Sequence, residues 1–137
     1  MEEIKQYIIL RKDVPTISGE PISAHKLAVM TAHASIAFLS NHILCNIPVI
    51  EEEKQWLMQN YTKVLLEAKN LDTMNKIVEK AEKEGFIEGI DFFCIRDICR
   101  VETIPDDEED TCFIAIGFRP MEPSKLKSVV KRLRLYK

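Results

Sequence analysis

Residues 62–98 constrain the fold more than any other stretch of this chain: TKVLLEA, then LDTMNKIVEKAEKEG, then IDFFCIRDI. The outer two segments are short, apolar and rich in the β-branched and aromatic residues that suit a buried strand. Between them Leu71, Met74, Ile77, Val78 and Ala81 recur at helical spacing, with Asp72 to open the helix and Gly85 to stop it. A strand, a helix of that length and a second strand form a crossover, which joins parallel strands with right-handed connectivity. The chain therefore has to build an α/β layer fold.

The remaining elements follow from the same periodicities. KQYIILR, residues 5–11, reads as a first strand, and Pro15, Gly19 and Pro21 punctuate the loop after it. Ser23 caps a helix expected over residues 23–41, in which Leu27, Met30, Ala34, Ala37 and Phe38 repeat at helical spacing. EEEKQWLMQN opens with three acids that suit the positive end of a helix and predicts a shorter second helix. TCFIAIGF, residues 111–118, predicts a strand that can form a hairpin with residues 90–98 across the acidic PDDEED, residues 105–110, expected as a solvated tip. PSKLKSVVKRL predicts a closing fourth helix. The order β-α-α-β-α-β-β-α implies a three-layer α/β fold, a mixed four-stranded sheet flanked by helices, in one domain spanning 1–137.

Charge and composition exclude several classes. With 19 Lys and Arg against 22 Asp and Glu the formal charge is −3, so any polyanion must be met by a local patch rather than by the whole surface. No uninterrupted apolar run approaches the ~18 residues of a membrane span, and no membrane or DNA partner is expected. The acidic start MEEIKQYIIL has no basic flank or leader-type cleavage site, which predicts a cytoplasmic protein. Cys45, Cys94, Cys99 and Cys112 lack CxxC spacing and predict free buried thiols, with no metal site and no cofactor.

Three clusters carry chemistry. Lys26 and His33 lie seven residues apart, almost two helical turns, and share a face with Met30 between them. An amine near a helix start can grip a phosphate or stabilise an oxyanion. Asp97 ends an apolar strand in IRDICRVE, followed by Arg100 and Glu102, and strand ends are where α/β folds place reactive groups. The tail contributes Lys125, Lys127, Lys131, Arg132, Arg134 and Lys137, with no acid after Glu122, and such a patch can meet nucleic-acid phosphates.

QYIILRKD, HKLAVMTAHASIAFL, IRDI and FIAIGFRP, in this order, resemble the type II peptidyl-tRNA hydrolase family along nearly the whole chain. The ending FRP at 118–120 and RLYK at 134–137 is most similar to its divergent branch of peptidyl-tRNA-hydrolase-domain proteins. The resemblance implies hydrolysis of the ester joining a peptide to the terminal ribose of tRNA, with peptidyl-tRNA as partner, and allows a homodimer. It places Lys26, His33 and Asp97 in the catalytic site and Arg11, His25, Arg100 and Arg119 among the substrate contacts. Against the family pattern GKxAAQxxHA, the glycine is His25 and the glutamine is Met30. Against DAGxTQ, the glycine is Cys99, the threonine Val101 and the glutamine Glu102. Those departures keep a second expectation open: a catalytically weakened or inactive module on the same fold that binds tRNA or a protein.

Overall fold

The computed structural model describes residues 2–137. Its elements are β1 (Gln6–Arg11), α1 (Ala24–Cys45), α2 (Glu51–Met58), β2 (Lys63–Ala68), α3 (Leu71–Lys83), β3 (Phe92–Asp97), β4 (Cys112–Phe118), α4 (Lys127–Val130) and β5 (Arg134–Leu135). The sheet has five strands in the order β3-β4-β1-β2-β5. β1 and β2 are parallel, while β4 runs antiparallel to both of its neighbours, β1 and β3. β2 and β3 thus point the same way, as the crossover requires, but β1 and β4 stand between them.

Side chains alternate across the sheet with period two. Ile8 and Leu10 face Ala34 of α1, whereas Ile9 and Leu66 join Met74, Ile77 and Ala81 of α3 and Leu126 and Val129 on the opposite face. Helices therefore cover both faces, and the three-layer arrangement holds. α1 is apolar around much of its circumference and, by length and composition, is long enough to cross a bilayer; Met30, Ala34 and Phe38 pack it onto the sheet. It also runs four residues past its expected end, to Cys45, where Asn46 closes it in the left-handed conformation.

The C-terminus departs furthest from expectation. Instead of one helix over residues 123–133, a 3₁₀ turn at Pro123–Leu126 leads into the single turn of α4, and the chain then extends. β5 pairs antiparallel with β2 through Leu66 with Leu135 and Glu67 with Arg134, and the Tyr136 N–H donates to the Leu65 carbonyl at 2.9 Å. The cause is the exposed edge of β2, whose free backbone groups the tail satisfies. α4 ends at Val130, short of the expected Leu133, and a fifth strand follows it.

The acidic loop is likewise not wholly solvated. Arg11, only 5% exposed, donates to Asp13, to Asp106 and to the Phe113 carbonyl, so the C-terminal end of β1 clamps the β3–β4 loop. Of the four cysteines only Cys112 is buried; Cys45 is exposed, and Cys94 and Cys99 are half-buried.

One glycine sets the spacing of the α1 layer. A Cβ on Gly117 of β4 would lie 2.1 Å from the Ala34 carbonyl oxygen, and the atoms it meets are backbone, which no rotamer change can move. Gln6 of β1 fixes the same interface, donating to the Ser35 carbonyl at 2.8 Å and accepting from the Ser35 hydroxyl at 2.7 Å. Gly117→Ala is expected to lower unfolding stability by about 3 kcal/mol or more in urea titration. A change near zero would show that α1 does not sit at this distance.

Candidate functional site

Asp97 is the last residue of β3, and Lys26 lies in the first turn of α1. The Lys26 Nζ stands 2.7 Å from Asp97 Oδ1, with the lysine side chain 22% exposed and the aspartate 6%. The second carboxylate oxygen, Oδ2, accepts from the Thr103 hydroxyl at 2.5 Å, and the backbone N–H of Cys99 also donates to the carboxylate. Burial pushes the Asp97 carboxyl up, but the Lys26 ammonium, the Thr103 hydroxyl and the Cys99 N–H outweigh it, holding the group below the usual carboxylate range. Asp97 is therefore ionised at neutral pH.

The loop after β3 delivers these donors through an unusual backbone. Cys99 sits at φ +58°, in the left-handed region that favours glycine, and it occupies the position where the sequence pattern expects one. Thr103 then pairs with Thr16, the Ile17 N–H donates to the Glu102 carbonyl at 2.8 Å, and the Ile104 N–H donates to the Pro15 carbonyl at 3.0 Å. The Glu102 carboxylate reaches Ser23, accepting from its backbone N–H at 2.9 Å and from its hydroxyl at 3.0 Å. Ser23 Oγ in turn accepts from the Lys26 N–H at 3.1 Å as the cap of α1. One loop thus holds both the aspartate and the helix start that carries the lysine.

The pair opens on a cleft of about 370 Å³ on the β3 side of α1, lined also by Met30, His33, Arg96, Arg100 and Val101. The structure brings Lys26, His33, Asp97 and Arg100 together there. His25 is exposed one residue before the lysine and does not line the cleft. Arg11 and Arg119 are directed elsewhere: Arg11 is spent on Asp13 and Asp106, and Arg119 binds Asp91 at 2.9 Å and Glu52 at 3.0 Å. Three contributors were not singled out from sequence. Thr103 reaches Asp97, six residues back, only through the fold of the loop, the Glu102–Ser23 clasp joins residues 79 apart, and Arg96 stacks over Phe113 at 4.5 Å beside the cleft.

On the other flank of α1 lies an apolar groove of about 680 Å³, whose one charged lining residue, Lys63, stacks over the Trp56 ring at 5.0 Å. It brings no acid, and its Thr31 and Ser35 hydroxyls are already donated to the Leu27 carbonyl and to Gln6. Thiol chemistry is also unsupported at Cys94 and Cys112, whose thiols burial, with Glu88 and Asp106 respectively, pushes up to about 12. What the polar cleft does present is a fixed anion beside a partly exposed ammonium. The ammonium has three donors and spends one on Asp97, leaving others for a ligand.

In comparison with known families, the family described as Peptidyl-tRNA hydrolase PTH2 matches residues 4–136.

The depressed Asp97 carboxyl makes a signed prediction for stability. A carboxyl held below its unfolded value stabilises the fold at pH above the ordinary range near ~4, and the contribution disappears as pH falls through the folded value. The stability difference between wild type and Asp97→Asn in urea titration is expected to be full at pH 7 and to close in acid. A difference that grows on acidification would reverse the assigned shift.

Proposed function

We propose, for a chain that belongs to the peptidyl-tRNA hydrolase PTH2 family, that it hydrolyses the ester linking a peptide to the terminal ribose of tRNA. The observation that carries the reading is the 2.7 Å contact of Lys26 with Asp97 at the wall of an open cleft. Ester hydrolysis needs a positioned water and a donor for the negative charge that develops on the carbonyl oxygen.

Asp97 is ionised and accepts hydrogen bonds, so it orients the attacking water and holds Lys26 in place. Its low proton affinity suits it less to storing the water's proton, which passes to the departing ribose oxygen. Lys26 directs a remaining N–H to the carbonyl oxygen as the tetrahedral intermediate forms. The acyl C–O ester bond then breaks to release the tRNA hydroxyl and the peptide acid, whose remaining proton is lost to solvent to leave the carboxylate. His33 and Arg100, on the same cleft, contact the acceptor end and its phosphates, with His25 at the rim. Arg11 and Arg119 serve the fold instead, because their guanidinium groups are already paired.

The competing reading, a tRNA-binding relative without turnover, is favoured by one observation: the cleft wall presents Met30 and Val101, neither of which offers a hydrogen-bonding group for a nucleotide. Release of labelled peptide from N-blocked aminoacyl-tRNA separates the two. Asp97→Asn and Lys26→Ala are each expected to lower kcat/KM by about 10²–10³-fold while tRNA binding changes little. Undiminished cleavage by Asp97→Asn would remove that residue from the mechanism, and salt-sensitive binding by a wild type without turnover would favour the binding relative.

A further inference from the structure

The C-terminal cations do not form one patch. Lys125 is drawn to Glu52 at 2.8 Å, and Lys127 and Lys131 flank a shallow hollow beside Glu2. Arg132 and Arg134 instead meet Lys69, Lys76 and Lys80 along a groove of about 550 Å³ between α3 and the tail, on the sheet face opposite the Lys26–Asp97 cleft. The five cations face one lining carboxylate, Glu67, which is buried and 3.9 Å from Arg134. Lys76 also has a surface partner, Asp72 at 3.0 Å, a pairing worth little in water. In a chain of net charge −3, five cations lining one groove with a single carboxylate among them run against the bulk composition.

Strand direction relates the groove to the cleft. Lys69 follows the last residue of β2, and Asp97 ends β3, which points the same way, so both lie at the same end of the sheet. With β4, β1 and β2 between β3 and β5, the two edges are four strand spacings apart, about 19 Å. A ligand that enters the cleft with one end and carries regularly spaced negative charges can pass over this end of the sheet into the groove. The lysines and arginines offer long, exposed side chains without an aromatic platform among them, which suits backbone phosphates rather than base reading.

We propose that Lys69, Lys76, Lys80, Arg132 and Arg134 form a phosphate-binding groove for the body of an RNA whose 3′ end occupies the Lys26–Asp97 cleft. The inference rests on the tRNA-ester reading above for the identity of that RNA, while the groove's affinity for RNA phosphates is measurable without turnover. Binding there adds affinity and orientation and leaves the chemistry to the cleft.

The test compares Lys69→Gln/Lys76→Gln/Lys80→Gln with a control of equal charge change, Lys54→Gln/Lys127→Gln/Lys131→Gln, all at exposed positions. Filter binding of deacylated tRNA over a salt series is expected to show affinity falling about tenfold or more and the log–log salt slope dropping by about 2 in the groove variant only. With N-blocked aminoacyl-tRNA, KM should rise while kcat holds; a short N-blocked aminoacyl ester of adenosine should be cleaved as by wild type. Arg132→Gln should add a further loss of tRNA affinity. Equal losses in the control, or unchanged affinity and slope in the groove variant, would overturn the groove. So would lysine-dependent binding to phosphatidylserine vesicles with tRNA binding intact. A wild type that cleaves neither ester, yet loses tRNA affinity in the groove variant, would sink the hydrolase reading and leave the groove standing.

Discussion

The close approach of α1 to β4 at Gly117 is the constraint on which the rest of the structure depends. With no side chain at that point, the helix backbone at Ala34 can come down onto the sheet, and the reciprocal hydrogen bonds of Gln6 and Ser35 fix its rotation and register. Those two contacts decide which face of α1 meets the sheet, and so which residues flank it. Met30 and Ala34 go inward, Lys26 and His33 fall on the β3 side, and Ile36 and Leu39 fall on the β2 side. A helix displaced outward by one methyl group would force the Lys26 stem to extend further to keep its 2.7 Å contact with Asp97.

Packing alone would leave the start of α1 free to fray, and the loops at this end of the sheet prevent it. Residues 98–104 are zipped to residues 15–17 by backbone hydrogen bonds, Glu102 clasps Ser23, and Arg11 ties Asp106 to the end of β1. The arrangement supplies every oxygen of the Asp97 carboxylate with a donor, which lets a nearly buried group stay charged. Positioning and ionisation thus have the same source: the loop that orients the aspartate also lowers its proton affinity.

Much of this was legible in the sequence, and the unread parts share a cause. Periodicity over residues 62–98 implied the layer fold, and spacing alone placed Lys26 and His33 on one helical face, because both are local properties of the chain. The resemblance supplied the link from Lys26 to Asp97. What escaped was non-local. β5 exists because β2 has an open edge, a fact of the assembled sheet that the helical pattern of PSKLKSVVKRL could not register. Arg11 and Arg119 look like phosphate contacts when read one residue at a time, but their guanidinium groups find Asp106, Asp91 and Glu52 only in the fold. Cys99, where the family pattern has glycine, reads as a departure in sequence, yet its backbone adopts the left-handed conformation that glycine takes most readily.

The same distinction between spent and available charge explains how an acidic chain can present a surface to RNA. The formal balance counts Arg11, Arg119 and Lys125 as positive charges and Asp106, Asp91 and Glu52 as negative ones, but each is neutralised by the others and projects little field. Removing such internal pairs from both sides leaves the sum unchanged and alters its distribution. Five of the remaining cations line the groove between α3 and the tail with one carboxylate, Glu67, among them, while Asp72, Glu79 and Glu82 stand exposed on α3 outside that lining. With a screening length of about 8 Å at physiological salt, an approaching phosphate responds to the nearest groups and not to the total. The net charge of −3 therefore bears on solubility, and the groove, not the sum, governs what the surface attracts.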